Sequence, residues 1–400
     1  MYCMKKLLGL LLVITMAWPV SAAVIENVEL IGEIQTIASD VHHNTANLYN
    51  DDVNTRVLAG LSTELVEDVR ANVLFQYVDI WNGNVNGDSI AQYENRIEVA
   101  NANVVLSNLF DCFEATIGRQ FYGDEDSAVM YFGPNHYNAE AVVYAPSVDA
   151  AKLTYADDVK ALTLIAGKLN LNQLDGIMPD YNGDFYGADF RMTINDLMKL
   201  QAYIYDFKLN IEDAEHSGFY GAKLTFTPEE AMSFGVEYAR NFSGHRLIKE
   251  GADTGYMLKV DGKMNIEEFA VRGTFLYEHE NFFAFGNYTP GLLIGHPLAG
   301  QIGDYSFEGI RMFNLGVDFN PFEKWTFSLD GYTFQDRYGH HDATYEADLT
   351  AKYTHNEYVQ LFAGLGYAKY GNDDFVPGAT YKDVFDKDNY KWQLGMLINF

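Results

Sequence analysis

Adjacent histidine and carboxylate side chains are the groups in this 400-residue chain that could support hydrolysis. His340 and His341 directly precede Asp342, and a histidine paired with a carboxylate can act as a general base. None of the ten histidines has the helical spacing of a metal-binding pair, and the sequence contains neither a G-x-S-x-G nucleophile elbow nor a phosphate-binding glycine loop. We therefore predict a non-enzymatic protein without a metal or other cofactor. The alternative is a hydrolase assembled from loops, which would lose activity on replacement of His341 or Asp342.

A larger set of charged residues alternates with apolar ones at every second position. That period places charged and apolar side chains on opposite faces of a β-strand. Assigning the polar face of each strand to one interior gives the basic residues Arg56, Arg70, Arg191, Lys199, Lys223, Lys259, Lys263, Arg272, Lys352 and Lys391. The facing acidic residues are Glu29, Glu33, Glu64, Asp189, Glu237, Asp261, Asp318, Asp330, Glu346 and Asp348. Opposed charges around an aqueous lumen create a transverse field that water crosses easily and apolar solutes do not. The alternative is that these charges only pair across strands and keep the interior wet.

The strands that would position these charges are clearest at the C-terminus. Tyr390, Trp392, Leu394, Met396, Ile398 and Phe400 alternate with residues that are mostly polar or small. A terminal strand that ends on Phe resembles the assembly signal of bacterial outer-membrane barrels, which implies the barrel-assembly machinery as a partner. Similar alternation occurs over 232–239 and 345–353. A soluble β-sandwich would also alternate in this way, so the connections must discriminate between the two folds.

Short and long connections follow each other in turn along the chain. Short polar turns are predicted near Glu67-Asp68, Asp111-Cys112, Asp157-Asp158, Asn195-Asp196, Pro228-Glu229, Ile266-Glu267, Pro321-Phe322 and His355-Asn356. Long connections are predicted near residues 37–52, 80–95, 122–147, 171–183, 209–216, 241–254, 279–306, 335–343 and 370–388. This asymmetry is typical of membrane barrels with short periplasmic turns and longer extracellular loops. The sequence therefore predicts an all-β, transmembrane, antiparallel up-and-down barrel of about 18 strands, within a range of 16–18.

Two of the long connections could narrow such a barrel. The segment from Tyr122 to Pro146 mixes charged and apolar side chains, which suits a loop folded into the lumen, although an external loop also fits. The segment from Phe282 to Gln301 is apolar and glycine-rich. Exposed to water it would form an apolar patch, so we predict that it packs into the barrel mouth.

Acidic residues crowd the remaining loops. They include Asp40, Asp51, Asp52, Glu212, Asp213, Asp373, Asp374, Asp383, Asp386 and Asp388. Such a rim would concentrate cations and could bind Ca²⁺ or bridge through it to lipopolysaccharide. Because no twelve-residue calcium-loop spacing is present, a solvated acidic surface is the simpler interpretation.

The N-terminus indicates export. Lys5 and Lys6 precede an apolar run from Leu7 to Trp18 and then small residues up to Ala23, which is the layout of a cleaved signal peptide. We predict a signal peptide over 1–22 and a single barrel over 23–400. That apolar run is too short to span a bilayer and no later run is long enough. The net charge of −29, from 27 basic and 56 acidic residues, argues against nucleic-acid partners.

A short motif carries a further resemblance. Residues 115–123 read ATIGRQFYG and contain Gly118, Arg119 and Gln120; a long loop and a strand beginning at Val148 follow. This arrangement resembles the alginate-export family of outer-membrane porins over residues 97–170, which implies an 18-stranded barrel passing polysaccharides or small solutes. Alginate itself is not expected, because the family's exporter lines its pore with many arginines. Strict alternation places Arg119 on the lipid face, so either a bulge at Gly118 turns it inward or it extends to the outer rim.

These features predict an outer-membrane porin of a Gram-negative-type bacterium that lets small hydrophilic solutes, cations or saccharides, diffuse passively. The pore-lining candidates are Arg56, Arg70, Arg191, Lys199, Lys223, Lys259, Arg272, Lys352, Glu237, Asp318, Asp330 and Asp348. Outer-membrane lipid and lipopolysaccharide are expected partners. The main alternative is a plugged structural or adhesive barrel that acts through its loops.

Overall fold

A computed structural model gives the three-dimensional structure of the chain. It describes residues 26–43, 48–81, 96–137, 145–170, 182–209, 217–242, 254–279, 281–282, 284–286, 288, 290–293, 309–339, 342–369 and 388–400. The signal peptide predicted over 1–22 lies outside these residues and stays a prediction.

Eighteen strands of the described chain form one antiparallel sheet that closes into a barrel. They are β1 (Glu26–His43), β2 (Leu48–Val66), β3 (Val69–Ile80), β4 (Ile97–Leu109), β5 (Phe113–Gln120), β8 (Val148–Ala156), β9 (Lys160–Asn170), β10 (Asn182–Asn195), β11 (Met198–Leu209), β12 (Ser217–Glu229), β13 (Met232–Asn241), β14 (Tyr256–Ile266), β15 (Phe269–Glu278), β16 (Ile310–Phe322), β17 (Trp325–Asp336), β18 (Thr344–Thr354), β19 (Val359–Lys369) and β20 (Asp388–Asn399). Two further short strands, β6 (Tyr122–Gly123) and β7 (Tyr131–Phe132), pair only with each other. The predicted all-β barrel of about 18 strands is confirmed.

The first and last strands close the barrel. β1 pairs with β2 on one side and with β20 on the other. Beyond the ladder, Phe400 N–H donates to the Gly32 carbonyl at 3.0 Å, and Gly32 N–H donates to the Phe400 carbonyl at 2.8 Å. Closure leaves no strand edge with unpaired backbone groups, which a structure in lipid cannot tolerate.

Most turns in the structure lie at the predicted positions, but three boundaries differ from the prediction. The first long connection was expected over 37–52, but β1 continues to His43 and β2 begins at Leu48. The turns expected at Pro228-Glu229 and Pro321-Phe322 begin only after Glu229 and Phe322. In each case pairing with the neighbouring strand overrides a local turn or polar signal.

Side chains alternate between an apolar outer face and an inner face. Outward residues such as Phe313, Leu315 and Leu394 are about 60% exposed, as expected for side chains that contact lipid. The inner face of β10–β17 is apolar towards the end with the long connections, where it carries Phe185, Phe207, Phe219, Ala239, Met257, Leu276, Met312 and Phe334. The inner face of the opposite wall is polar, with Glu33, Gln35, Arg56, Gln76, Glu346, Asp348, Lys391 and Gln393. Both halves are buried because loops fill the interior at this level.

No helix in the described residues is long and apolar enough to cross a membrane.

Candidate functional site

All twelve pore-lining candidates share the inner face of the barrel. Strand register connects them: Gln201 pairs with Arg191 and Lys223, Lys223 pairs with Glu237, and Glu237 pairs with Lys259. On the other side Asp330 pairs with Asp348. Within the part of the chain that the structure describes, segments of two connections enter this interior, the first internal loop (121–137) and the second internal loop (281–293, as far as it is described). The placement agrees with the sequence assignment of faces, and the role of these residues in conduction stays a prediction.

The first internal loop leaves β5 and is held against β10 and β11. The hydroxyls of Tyr122 and Tyr205 are 2.9 Å apart, and Arg191 Nη2 donates to Asp124 Oδ2 at 2.8 Å. Arg191 Nε also donates to Asp189 on its own strand at 3.0 Å. Burial raises the pKa of Tyr122 to about 12 despite the hydrogen bond with Tyr205. This hydroxyl therefore stays neutral across the physiological range.

The tip of the first internal loop reaches the opposite wall, at β1 and β2. Arg56 is fully buried; its guanidinium donates to Glu33 Oε1 at 2.8 Å and to the Asn135 carbonyl at 2.8 Å. Gln35 Nε2 donates to the same carbonyl at 3.1 Å, and Gln35 Oε1 accepts from Tyr137 N–H at 3.3 Å. Strand side chains thus satisfy backbone groups of the loop that water no longer reaches.

His136 lies between two carboxylates at this tip. Its Nε2 is 2.8 Å from Glu33 Oε2 and its Nδ1 is 2.9 Å from Glu125 Oε2. Burial by itself would lower the pKa of His136, but the hydrogen bonds and charges of Glu125 and Glu33 outweigh it and raise the pKa to about 9. Both ring nitrogens then donate, so an imidazolium holds the loop to β1 at neutral pH.

Tyr137 ends the described part of this loop in a strained backbone conformation. Its φ is +64°, which costs a residue other than glycine about 1–3 kcal/mol. The hydroxyl donates to Gln360 at 2.7 Å and accepts from Lys352 Nζ at 2.9 Å, while Gln393 Nε2 donates to the Tyr137 carbonyl at 2.7 Å. Contacts with β18, β19 and β20 offset the strain and complete a crossing of the lumen.

The second internal loop meets the first in the middle of the barrel. Tyr131 N–H donates to the Phe285 carbonyl at 2.7 Å, and Phe285 N–H donates to the Val129 carbonyl at 2.9 Å. The Phe285 ring packs on Phe207 and Phe132, with centroids 4.7 and 5.6 Å apart. The predicted packing of this apolar segment into the barrel holds for its described part, and 294–301 lie outside the described residues.

Two neighbouring carboxylates hold the far end of the second loop. Glu346 Oε1 accepts from Leu292 N–H and Leu293 N–H, both at 2.7 Å, and Asp348 Oδ2 accepts from Leu292 N–H at 2.9 Å. Lys391 Nζ donates to the Leu292 carbonyl at 2.7 Å. These contacts bind the second internal loop to β18 and β20 through its backbone.

Other candidates form ion pairs on the wall itself. Arg272 donates to Asp318 at 2.9 Å and to Asp330 at 2.7 Å. A Cβ on Gly316 would lie 2.3 Å from Asp330 Oδ1, so glycine leaves the space that Arg272 needs to cross β16. Glu237 accepts from the Tyr203 hydroxyl at 2.7 Å. Lys259 Nζ lies 4.1 Å from the centre of the Tyr288 ring in the second loop.

Open space remains beside the first internal loop. A hollow of about 420 Å³ is lined by Tyr122, Asp124, Lys152, Asp189 and Tyr203 among others. A second hollow of about 380 Å³ lies towards the short-turn end and shares Asp124, Arg191 and Gln201 with the first. Lys199 and Lys223 line this second hollow, whereas Arg70 is exposed near the turn that joins β2 to β3. Wetted cations and carboxylates thus face each other below the loops.

The structure of Gly118-Arg119-Gln120 shows which face of β5 carries the Arg119 side chain. Gly118 has a φ of +121°, but the register between β4 and β5 runs unshifted through it, so the proposed inward bulge is wrong. Arg119 points outward, and its guanidinium binds both carboxylate oxygens of Asp149 at 2.8 and 2.9 Å. Gln120 is buried on the inner face and donates to the Ala150 carbonyl at 3.1 Å.

Within the described residues no group of three or more His, Cys, Asp or Glu side chains could hold a metal ion. Most acidic loop residues proposed for Ca²⁺, including Glu212, Asp213, Asp373, Asp374, Asp383 and Asp386, lie outside those residues. His340 and His341 also lie outside them.

Sequence reasoning missed the residues that anchor the loops. Alternation assigned Glu33 and Glu346 to the interior, but nothing in their spacing shows that a loop backbone or His136 contacts them. The one usable signal was the mixture of charged and apolar residues in the first loop, which favours burial without naming partners.

Comparison with known proteins gives structural neighbours only. No family model and no curated protein matches the chain. Pseudomonas aeruginosa OpdQ superposes with a TM-score of 0.66 at 13% identity, covering 94% of this chain and 99% of its own. P. aeruginosa OpdK with vanillate gives 0.64 at 10%, covering 94% and 99%, and OccK8 (OprE) from the same organism gives 0.61 at 13%, covering 94% and 98%. At these identities the neighbours support the fold.

Proposed function

We propose that the protein is an outer-membrane channel through which small hydrophilic solutes diffuse passively. The observation that carries the proposal is a closed 18-stranded barrel that two loops cross, with hollows of about 420 and 380 Å³ remaining beside the first loop. Barrels of 16–18 strands enclose an aqueous channel. The structural neighbours are outer-membrane porins, which supports the same function and location.

Charges of both signs beside the loops favour polar solutes. Arg191, Lys199 and Lys223 lie near Asp124 and Asp189. A polar solute can replace the water around these charges at a smaller cost in free energy than an apolar solute. The neighbour with vanillate shows that a barrel of this fold accommodates a small organic solute. The alginate-export resemblance stays a hypothesis based on the Gly118-Arg119-Gln120 motif. It does not rest on an arginine-rich lumen suited to a polyanion.

Single-channel recording tests the proposal directly. The folded protein is inserted in a planar bilayer, and conductance and the reversal potential across a salt gradient are measured. We expect a steady open conductance, with cation preference from the acidic balance of the chain. Anion preference would instead indicate that the inward Arg and Lys residues determine the ion selectivity. A correctly folded barrel that never conducts would overturn the proposal that the protein is a channel.

A plugged barrel acting through its loops is the second candidate. One observation favours it: Phe285, Phe132 and Phe207 pack across the lumen where the loops meet. It predicts no conductance in the wild type and a strong effect of trimming the external loops on adhesion.

Export and assembly are further proposals. A signal peptide over 1–22, delivery to the barrel-assembly machinery through the strand that ends at Phe400, and contact with lipopolysaccharide would bring the chain to the outer membrane and keep it there. From the similarity to outer-membrane porins we also propose that the protein is a channel rather than an enzyme.

A further inference from the structure

The outer face of the barrel is electrostatically uneven at its long-loop end. On β5–β11 outward charges of opposite sign are matched: Arg119 binds Asp149, and Lys168 Nζ lies 2.7 Å from Asp184. Register places these residues side by side, with Asp149 opposite Lys168 and Asp184 opposite both Lys168 and Lys208. Charge is therefore largely neutralised on this side.

On the other side the outward row contains arginines and tyrosines. We call it the rim patch; it consists of Tyr220, Arg240, Tyr256, Tyr277 and Arg311, on β12 to β16 in that order. Register sets Tyr220 opposite Arg240, Arg240 opposite Tyr256, and Tyr277 opposite Arg311. The rings of Tyr256 and Tyr277 stack with centroids 5.7 Å apart. Along the regular register of β12–β17, the described outward side chains include no carboxylate.

The charges of the two arginines are not neutralised within the described residues. Arg240 donates to the Thr254 hydroxyl at 2.8 Å. Arg311 donates to the Asp336 carbonyl at 3.1 Å and to the Gln335 side-chain amide at 2.9 Å. All three acceptors are neutral, so no described carboxylate pairs with either guanidinium.

The level of the rim patch points to a lipid headgroup. Below Arg311 the outward residues of β16 are Phe313, Leu315, Val317, Phe319 and, after a register shift, Phe322, and the run from Phe313 to Phe322 is about 30 Å along the strand at 3.3 Å per residue. Tilted as in membrane barrels, such a run matches the apolar band. Arg311 and Arg240 then lie where the apolar part of the membrane ends and its headgroups begin.

We propose that the rim patch binds a phosphorylated glycolipid of the outer leaflet through its phosphate groups. Guanidinium forks bind phosphate oxygens in pairs, and Arg240 and Arg311, three strands apart, are separated by about 14 Å at the usual strand spacing. A headgroup with two phosphates on linked sugars suits that separation, and the intervening tyrosine rings offer flat faces and hydroxyls to the sugars. The inference rests on the proposed outer-membrane location and not on conduction.

The test uses the folded barrel in detergent micelles and bis-phosphorylated lipid A as the probe, with the thermal midpoint Tm followed during titration. We expect lipid A to raise Tm and lipid A stripped of its phosphates to leave it unchanged. R240Q combined with R311Q should weaken apparent binding at least about tenfold per arginine. The charge-retaining pair R240K and R311K should bind with intermediate affinity, because lysine lacks the fork.

K168Q is the matched control, since Lys168 lies at the same end of the barrel but is paired with Asp184; it should bind like the wild type. Retained binding in R240Q/R311Q, or an equal Tm rise with the dephosphorylated lipid, would overturn the proposal. So would a Tm that depends on protein concentration without lipid, which would identify the patch as a contact between barrels. Heat-modifiable gel migration checks folding of each variant, and an unchanged conductance separates failure here from failure of the channel.

Discussion

At the scale of single residues, the anchors of the first internal loop combine charge with burial. His136, Glu33, Arg56 and the Asn135 carbonyl form one contiguous set of contacts, each shorter than 3 Å. Because these groups are withdrawn from water, each partner that is lost leaves another buried and unsatisfied. The tip should therefore respond sharply to pH and to substitution.

His136 should make the loop sensitive to alkaline pH. Its pKa is raised from 6.5 to about 9, so the stabilisation is complete below 6.5 and is lost as the pH rises through about 9; a shift of this size corresponds to at most about 3 kcal/mol. We expect channel conductance or its fluctuations to increase between pH 8 and 10 (about the range that brackets this pKa). H136Q should abolish this pH step. An identical step in H136Q would assign it to another group.

Removal of Arg56 should be among the most damaging single substitutions in the interior. R56M leaves Glu33 buried with only His136 as a charged partner and leaves the Asn135 carbonyl with Gln35 Nε2 as its donor, and breaking such a buried pair costs about 3–5 kcal/mol. Unfolding in urea measures the loss. R70Q is the control, because Arg70 is exposed, and its cost should stay below about 1 kcal/mol; equal costs for the two variants would contradict the anchoring role.

At the scale of elements, the two internal loops depend on each other and on opposite walls. The first crosses from β5, β10 and β11 to β1 and β20, and the second runs from β15 to β18 and β20; they touch at Phe285. The apolar strand β11 contacts aromatic rings of both loops, whereas the polar strands bind backbone groups of both loops together with the His136 and Tyr137 side chains of the first loop. The unequal halves of the inner face thus reflect which part of a loop each half must hold.

The second loop should be released by removing its two carboxylate anchors. E346A combined with D348A leaves Leu292 N–H and Leu293 N–H without their acceptors, and each buried N–H left unsatisfied costs about 1–3 kcal/mol. Single-channel recording should show a larger or noisier conductance. D318N is the control, since Asp318 contacts Arg272 and Ser328 on the wall and its hydrogen bonds to described residues include none to either internal loop. Unchanged conductance in the double variant would show that the loop is held by its apolar contacts.

At the scale of the whole molecule, closure decides whether the barrel exists. β20 supplies the hydrogen bonds that join β19 to β1, and its loss would expose two strand edges to lipid. Among the described barrel strands, the pairing of β1 with β20 joins the two ends of the strand order.

Phe400 should separate assembly from stability. The Phe400 backbone closes on Gly32 whatever its side chain, so F400A should refold in detergent with a loss of about 1 kcal/mol or less, since its ring is 38% exposed. In cells the same variant should reach the outer membrane poorly if the ring is read by the assembly machinery. Cell fractionation and heat-modifiable migration measure both quantities. Normal assembly of F400A would remove Phe400 from that role, while deletion of 388–400 should abolish folding in either setting.

Strand pattern and turn chemistry were sufficient to derive much of this protein from its sequence. Period-two alternation assigned the faces of all twelve pore-lining candidates as the register has them, and most turns were placed to within two residues, because both depend on neighbours in the chain. Failures occurred where pairing with another strand prevailed, as in the extension of β1 and β2 across the expected connection at 37–52.

By itself the sequence determined the fold class, the strand number to within two and the division into outer and inner faces. The tertiary structure alone decided that Arg119 is paired with Asp149, that His136 lies between Glu33 and Glu125, and that Phe285 meets Phe207. These contacts join residues from 11 to 103 positions apart, and strand periodicity carries no information about which loop backbone will enter a lumen or which side chains will satisfy it there.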